Sequence, residues 1–324
     1  MSVSPLGFGG APIGNLYAPV SEADARSAIE EALARGIRYF DTAPFYGHGL
    51  SEERMGRALA GRPRASFTVS TKVGRLISGD DSGREMADGF AVQGSRALFD
   101  YSRDAVQRSF ESSLERLGVD YVDILYLHDI GRMTHGERHP EVLQAALDEA
   151  LPAMAALRDS GAVGAIGLGV NEQDVCLEVL PRFDLDCIML AGRYTLLEQR
   201  NAIELMEQAQ IRGIPILVAG PFNSGLLAGA AAPGETYNYA PVDELTRQRA
   251  RSVYEECAEE RVDVGAAALQ FPLAHPAVAC VVAGLRNAAE VSSAVKRMEA
   301  TIPAALWDRL RQHGLVDAGA VLPK

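Results

Sequence analysis

The sequence predicts a (β/α)8 barrel. Three observations point there: short apolar, β-branched runs recur eight times, a helical pattern follows each, and the 324 residues show no composition break or linker. The runs fall at 6–8, 37–40, 67–70, 122–127, 163–168, 187–190, 214–218 and 278–283. Each is almost continuously apolar, as a strand covered on both faces of a parallel sheet must be. Ser21-Glu22-Ala23-Asp24 opens the first helix with a capping-box pattern, and Ala25, Ala28, Ile29, Ala32 and Leu33 share its buried face. Further helical stretches lie at 52–60, 104–117, 148–159, 172–180, 198–212, 243–261 and 287–299, and a last one at 304–313 carries Trp307 as a packing residue. Two gaps exceed the rest, 73–103 after the third strand and 219–262 after the seventh. Both begin where a strand ends, which places them over the C-terminal mouth of the barrel. A doubly wound sheet is the rival, and eight strands without a boundary disfavour it. One domain spanning 1–324 is expected.

The charge balance narrows the partners. With 31 basic against 43 acidic residues the net charge is −12, a surface that repels phosphate backbones and anionic lipid alike. Neither nucleic acid nor membrane is expected, and a small molecule is. No window reaches the roughly 18 apolar residues of a membrane span, and Met1-Ser2-Val3-Ser4-Pro5 lacks the layout of a secretion signal, so a cytoplasmic location is expected. Cys176, Cys187, Cys257 and Cys280 form no Cys-x-x-Cys pair and mostly sit in apolar runs, as reduced core thiols do; no metal site is expected from them.

In such a barrel, reactive residues collect where strands end. Asp41 follows the second strand, Tyr46 lies five residues on, Lys72 follows the third and His128 the fourth. The chain has three lysines against 28 arginines, so a lysine at an apolar strand end calls for a reason. One reason is a buried ion pair with Asp41 that only braces the barrel. Another is a Schiff-base lysine. The third is a proton-transfer device. A phenol titrates near ~10, and an adjacent ammonium is expected to lower Tyr46 toward phenolate. Asp41 would hold Lys72, and His128 would orient the reacting oxygen.

Phe40-Asp41-Thr42-Ala43-Pro44-Phe45-Tyr46-Gly47, Ser51-Glu52, Ser70-Thr71-Lys72-Val73-Gly74 and Tyr126-Leu127-His128, in this order, resemble the motifs of the aldo-keto reductases. The resemblance implies a barrel that binds NAD(P) without a Rossmann domain, with Asp41, Tyr46, Lys72 and His128 as catalytic residues. The family's usual N-terminal hairpin has no room before the first strand. The stretches 6–17, 46–52 and 191–197 are similar to one branch, the aldose 1-dehydrogenases acting on L-fucose and other threo-configured sugars together with the pyridoxal 4-dehydrogenases. The implied reaction is oxidation of an aldopyranose at its anomeric carbon to a lactone. Pyridoxal oxidation, generic NADPH-dependent carbonyl reduction and a non-catalytic cofactor-binding module are the alternatives.

The resemblance also places the cofactor. Pro221-Phe222-Asn223-Ser224-Gly225-Leu226 is similar to the family's pyrophosphate loop, where small residues let backbone N–H groups approach. Asn171 matches the asparagine that bonds the nicotinamide amide. Val170, Ala191 and Ala219 replace the family's serine, glutamine and stacking tyrosine, which leaves Tyr194 or Phe222 to cover the nicotinamide. In Gly284-Leu285-Arg286-Asn287-Ala288-Ala289-Glu290, the family's phosphate-binding lysine and arginine are replaced by Gly284 and Glu290. A carboxylate there repels a 2′-phosphate and can accept from a ribose hydroxyl, so NAD is expected over NADP, with Arg286 the residue that could reverse the preference.

His48 and Arg193 stand at the same mouth and are expected to bind substrate hydroxyls, unless they pair with a surface carboxylate such as Asp129. His135 and His139 read as solvated residues of a polar loop, given Gly136 and Pro140. Gly7, Gly9, Gly164, Gly167 and Gly169 read as places of close strand packing, with Gly9 and Gly10 under the cofactor.

Overall fold

A computed structural model describes residues 3–324 apart from 81, 83–85, 88, 93, 230–233 and 239. Eight parallel strands close into a barrel in which each pairs with its sequence neighbours and the last with the first: β1 (Leu6–Gly9), β2 (Tyr39–Asp41), β3 (Thr68–Val73), β4 (Val122–His128), β5 (Val163–Val170), β6 (Cys187–Ala191), β7 (Ile216–Ala219) and β8 (Val278–Gly284). All eight coincide with the apolar runs of the sequence, and helices alternate with them as expected. None among the described residues is long and apolar enough to cross a membrane.

Two strands start two residues later than their apolar runs, for one reason. Ile37 and Ile214 spend their N–H groups on Ala32 and Ala209, closing the preceding helices around the left-handed Gly36 and Gly213. The helix expected at 148–159 also begins earlier. It starts at His139, with Pro140 in the first turn where its missing N–H costs nothing, and runs through a π-turn (Ala146–Ala150) into Leu151–Asp159. Pro152 has no N–H to offer the carbonyl four residues back, which accounts for the wider turn before it.

The period-2 alternation of the strands creates the site. Tyr39, Ile124, Tyr126, Cys187, Met189, Leu217, Cys280 and Val282 fill the barrel interior. The next inward positions toward the C-terminal end are Asp41, Lys72 and His128, and the register sets Asp41 opposite Ser70 and Lys72 opposite Tyr126. The four cysteines are buried free thiols, two of them in this interior. Trp307 packs against Phe271 in the outer core.

Both long insertions lie at the mouth. After β3, 75–79 pairs antiparallel with 95–99, and a smaller hairpin joins 86–87 to 90–91. After β7, Pro221–Ala228 forms consecutive turns, and 236–237 pairs with 240–241 before the helix Glu244–Glu259.

Gly7 and Gly167 pack as their spacing implies, whereas Gly164 is exposed. A Cβ on Gly7 would stand 2.8 Å from the Tyr39 ring, and one on Gly167 only 2.1 Å from the Cys187 carbonyl oxygen. The second obstacle is backbone and cannot rotate away. Gly167→Ala is therefore expected to separate β5 from β6 and to destabilise the protein by about 2–4 kcal/mol in urea denaturation.

Candidate active site

Lys72 and Asp41 form the floor. The ammonium donates to Asp41 Oδ1 at 2.8 Å, Asp41 Oδ2 at 2.7 Å and the Thr42 carbonyl at 2.9 Å, which engages all three of its protons. Both side chains are almost fully buried. Beneath them, Ser70 Oγ donates to Asp41 Oδ1 at 2.7 Å, and the Tyr39 hydroxyl joins Ser70 at 2.8 Å and Tyr126 at 3.2 Å. The carboxylate is thus anchored from inside the barrel as well as from the lysine.

Tyr46 is carried on a turn that a side chain at two positions would block. Gly47 has φ 65°, and a Cβ there would lie 2.3 Å from the Gly14 carbonyl oxygen; one on Gly14 would meet the Tyr46 backbone at 2.6 Å. This contact locks the β2 loop to the β1 loop. Ser51 secures it by donating to Gly10 O at 2.7 Å, and Thr42 donates to Ser51 at 2.8 Å. Buried Glu52 accepts from Thr71 and from Arg116, tying the helix Leu50–Leu59 to β3. The Lys72 ammonium lies 4.7 Å from the Tyr46 ring centroid, and His128 meets the same ring edge-on at 6.1 Å. All four expected residues therefore converge on the same mouth.

The insertion after β3 covers them. Phe90 stacks on Tyr46 at 6.0 Å and meets Phe45 edge-on at 5.3 Å, while Phe45 contacts His128 at 6.0 Å. Tyr17 donates its N–H to Gly89 O, and Ala91 donates to Asn15 O, fastening the hairpin to the β1 loop.

Burial controls the electrostatics. It holds the Tyr46 phenol well above its ordinary range, with the Asp41 and Asp129 carboxylates acting the same way and Arg75 opposing. The expected lowering by Lys72 is not found, because that cation is already neutralised by Asp41 at contact distance. Burial also lowers Lys72 and raises Asp41, each opposed by the other's charge. His128 is pushed well below the ordinary histidine range, first by burial and then by Arg75 and Lys72, so it is neutral at pH 7.

Asp129 is no surface carboxylate. It is buried at a left-handed turn, paired with Arg75, and accepts from Asn171 Nδ2 at 3.0 Å. Asn171 therefore keeps its side-chain amide oxygen, while its backbone carbonyl accepts from Arg193 Nε at 2.6 Å. Arg193 also reaches Tyr237 and Asn238 of the second insertion at 3.3 and 3.0 Å, so it joins loops around the mouth. His48 Nδ1 meets Ser95 Oγ at 2.8 Å and links the β2 loop to the covering hairpin. Both side chains thus tie loops of the rim together. His139 is buried, bonded to Ile130 O and Glu178, and His135 is bonded to the Tyr101 hydroxyl, so neither is a solvated loop residue.

The residues on the other side of the mouth fit an extended dinucleotide. Gly192, Gly220 and Gly225 are left-handed with open space where a side chain would stand, since a Cβ meets nothing closer than 3.7 Å. Asn223 and Ser224 are left-handed too, and Asn223 is fixed by Thr195 and the Gly192 carbonyl. Asn287 caps the helix Ala288–Glu299 by accepting from the Glu290 N–H. The Glu290 carboxylate is occupied by Arg286, through its backbone N–H and Nε, both at 2.8 Å. Arg286 and Glu290 thus act on each other, and neither points singly at a ribose or a phosphate. A side chain at Gly284 would strike Pro12 at 2.9 Å. Tyr194 is buried in the outer core against Phe271 and His275 and so cannot cover the nicotinamide, while one face of Phe222 lies under Arg297.

Phe90, Arg75 and Tyr101 escaped sequence reasoning, and Asp129 was read only as a surface carboxylate. Their signal was faint: an isolated aromatic residue at 90, and charges three residues after Lys72 and directly after His128. Removing one member of the floor pair strands a buried charge. Asp41→Ala is expected to cost roughly 3–5 kcal/mol in urea denaturation, and Asp41→Leu with Lys72→Met to recover most of it.

The sequence profile described as the Aldo/keto reductase family matches residues 5–314. A pyridoxal 4-dehydrogenase from Microbacterium luteolum is 41% identical, covering 98% of this chain and 95% of that protein. A D-threo-aldose 1-dehydrogenase from a Pseudomonas species is 38% identical with the same coverages. Among solved structures, the holo form of an aldo-keto reductase from Bacillus halodurans superposes with a TM-score of 0.75 at 29% identity, covering 99% of this chain and 95% of that one. The chain belongs to the aldo/keto reductase family of oxidoreductases.

Proposed function

We propose that the protein is an NAD-linked dehydrogenase that oxidises a cyclic hemiacetal, that of an aldopyranose or of pyridoxal, to the lactone. The observation that carries this reading is the convergence of Tyr46 and His128 over a buried Lys72–Asp41 pair at the mouth. The two relatives' names cover one substrate each. Chemically the substrates pose one problem, a C–H and an O–H on the same ring carbon beside a ring oxygen.

When bound, the nicotinamide dinucleotide supplies the hydride acceptor. Asn171 would hold its amide, the 221–226 turns its pyrophosphate, and the segment from Gly284 to Glu290 its adenosine end. His128, neutral, hydrogen-bonds the reacting oxygen and orients it. Tyr46 takes the hydroxyl proton in oxidation and returns it in reduction. Lys72 and Asp41 fix the ring face of Tyr46, beside which Phe45 and Phe90 form an aromatic wall. The aromatic wall suits the C–H face of a sugar or a pyridine ring. Engagement of every Lys72 proton argues against a Schiff base at that residue. The Arg286–Glu290 pair supports NAD, because a 2′-phosphate would have to displace the carboxylate to reach the guanidinium.

The test is the rate of reduced-nicotinamide formation from NAD and NADP with L-fucose, D-arabinose, D-galactose, L-galactose and pyridoxal. Sugar- or pyridoxal-dependent NADH is expected, and silence across the panel with both cofactors overturns the reading. Because the Tyr46 phenol is held up by burial, phenolate is scarce at neutral pH. Oxidation is expected to accelerate with rising pH to at least about pH 9. Tyr46→Phe is expected to retain cofactor affinity and lose roughly 10²–10⁴-fold in kcat. Glu290→Ala frees Arg286 and is expected to shift the kcat/KM ratio toward NADP by about tenfold.

A further inference from the structure

We infer that the buried Arg75–Asp129 pair is a second charge pair of this site, a positioning device that sets the charge state of His128 and the aim of the Asn171 amide. The inference deepens the dehydrogenase reading and rests on it for the importance of His128, whereas the pair's action on that imidazole is independent of any substrate.

Arg75 leaves β3 just after Gly74. Its guanidinium carbon is 3.8 Å from the Phe45 ring centroid and 4.7 Å from that of Phe99, a sandwich between the β2 loop and the covering hairpin. Its NH2 group binds Asp129 Oδ2, and the two side chains are only 8% and 6% exposed. Asp129 is fixed from every side. Its N–H donates to Gly169 O at 3.0 Å, and the Tyr101 hydroxyl lies 3.0 Å from the carbonyl oxygens of both His128 and Asp129. His135 Nε2 approaches the Asp129 carbonyl at 2.9 Å.

The carboxylate so held faces two functional groups. Oδ2 stands 3.4 Å from His128 Nε2, and Oδ1 receives Asn171 Nδ2, which determines which end of that amide is left for a ligand. An unpaired carboxylate at 3.4 Å would favour the imidazolium and turn His128 from a neutral partner into a cation. Arg75 cancels that pull and adds its own repulsion. The other groups around His128 are Lys72, itself neutralised by Asp41, the phenols of Tyr46 and Tyr101, and His135 beyond the peptide carbonyls. Lys72 and His135 also act on Asp129 through space, but more weakly than Arg75, which contacts it. The downward push of Arg75 on His128 is in accord with this geometry.

The experiment is a heteronuclear NMR titration of histidine-labelled protein without cofactor or substrate, so a failed dehydrogenase assay leaves it intact. The six histidines are few enough for the His128 ring to be assigned by its loss in His128→Gln. In the wild type the ring should titrate well below the ordinary histidine range. In Arg75→Met the midpoint should rise by about one pH unit or more, and adding Asp129→Asn should return it toward the wild-type value. Arg75→Gln retains a hydrogen bond to Asp129 and serves in place of Arg75→Met should that variant not fold. An unchanged midpoint in a folded Arg75 variant overturns the inference, as does a double variant whose midpoint stays as high as that of Arg75→Met, since repacking would then be the cause.

Discussion

The site depends on the Lys72–Asp41 contact. Two opposite charges lie at the top of the barrel interior, where an unpaired charge would be costly, and neither could be tolerated without the other. Their mutual neutralisation has a chemical consequence: Lys72 steadies the face of Tyr46 without driving it to phenolate. The phenol keeps its proton at neutral pH, which suits it to give one in reduction and makes oxidation the direction that needs base.

Around that floor, the protein uses aromatic rings and glycines instead of a continuous polar shell. Gly14 and Gly47 let two loops touch backbone to backbone, which delivers Tyr46 to its place. Phe90 and His128 then close on its ring, and Phe45 packs against both of them. In so apolar a setting each remaining charge matters more, because little water is present to screen it. The pairing of Arg75 with Asp129 belongs to this economy, as do the saturated bonds of Lys72.

The mouth has two unequal halves. The side formed by the β1, β2 and β3 loops is rigid and interlocked, through Ser51, Glu52, Arg116 and the hairpin bonds at Asn15 and Tyr17. The side formed by the β6, β7 and β8 ends is open and glycine-rich, and its charged residues satisfy one another. A fixed reactive corner beside a side left clear by glycines accords with the proposed hydride transfer between a small ring and a dinucleotide.

The barrel and its reactive corner were legible in the sequence because both depend on local regularities. Eight apolar runs make strands, and strand parity places Asp41, Lys72 and His128 on one inward row at one end. Partner choice was not legible. Whether Arg286 meets a phosphate or Glu290, whether Tyr194 lines the mouth or the outer core, and whether Asp129 is wet or buried depend on distances between segments far apart in the chain. The same holds for the direction of the Tyr46 shift, since burial, set by Phe90 and the packed loops, outweighs the neighbouring ammonium that the sequence reveals. Residue type and periodicity thus determined which groups reach the mouth, while tertiary packing alone decided which of them neutralise each other, because screening and desolvation are properties of the assembled surroundings.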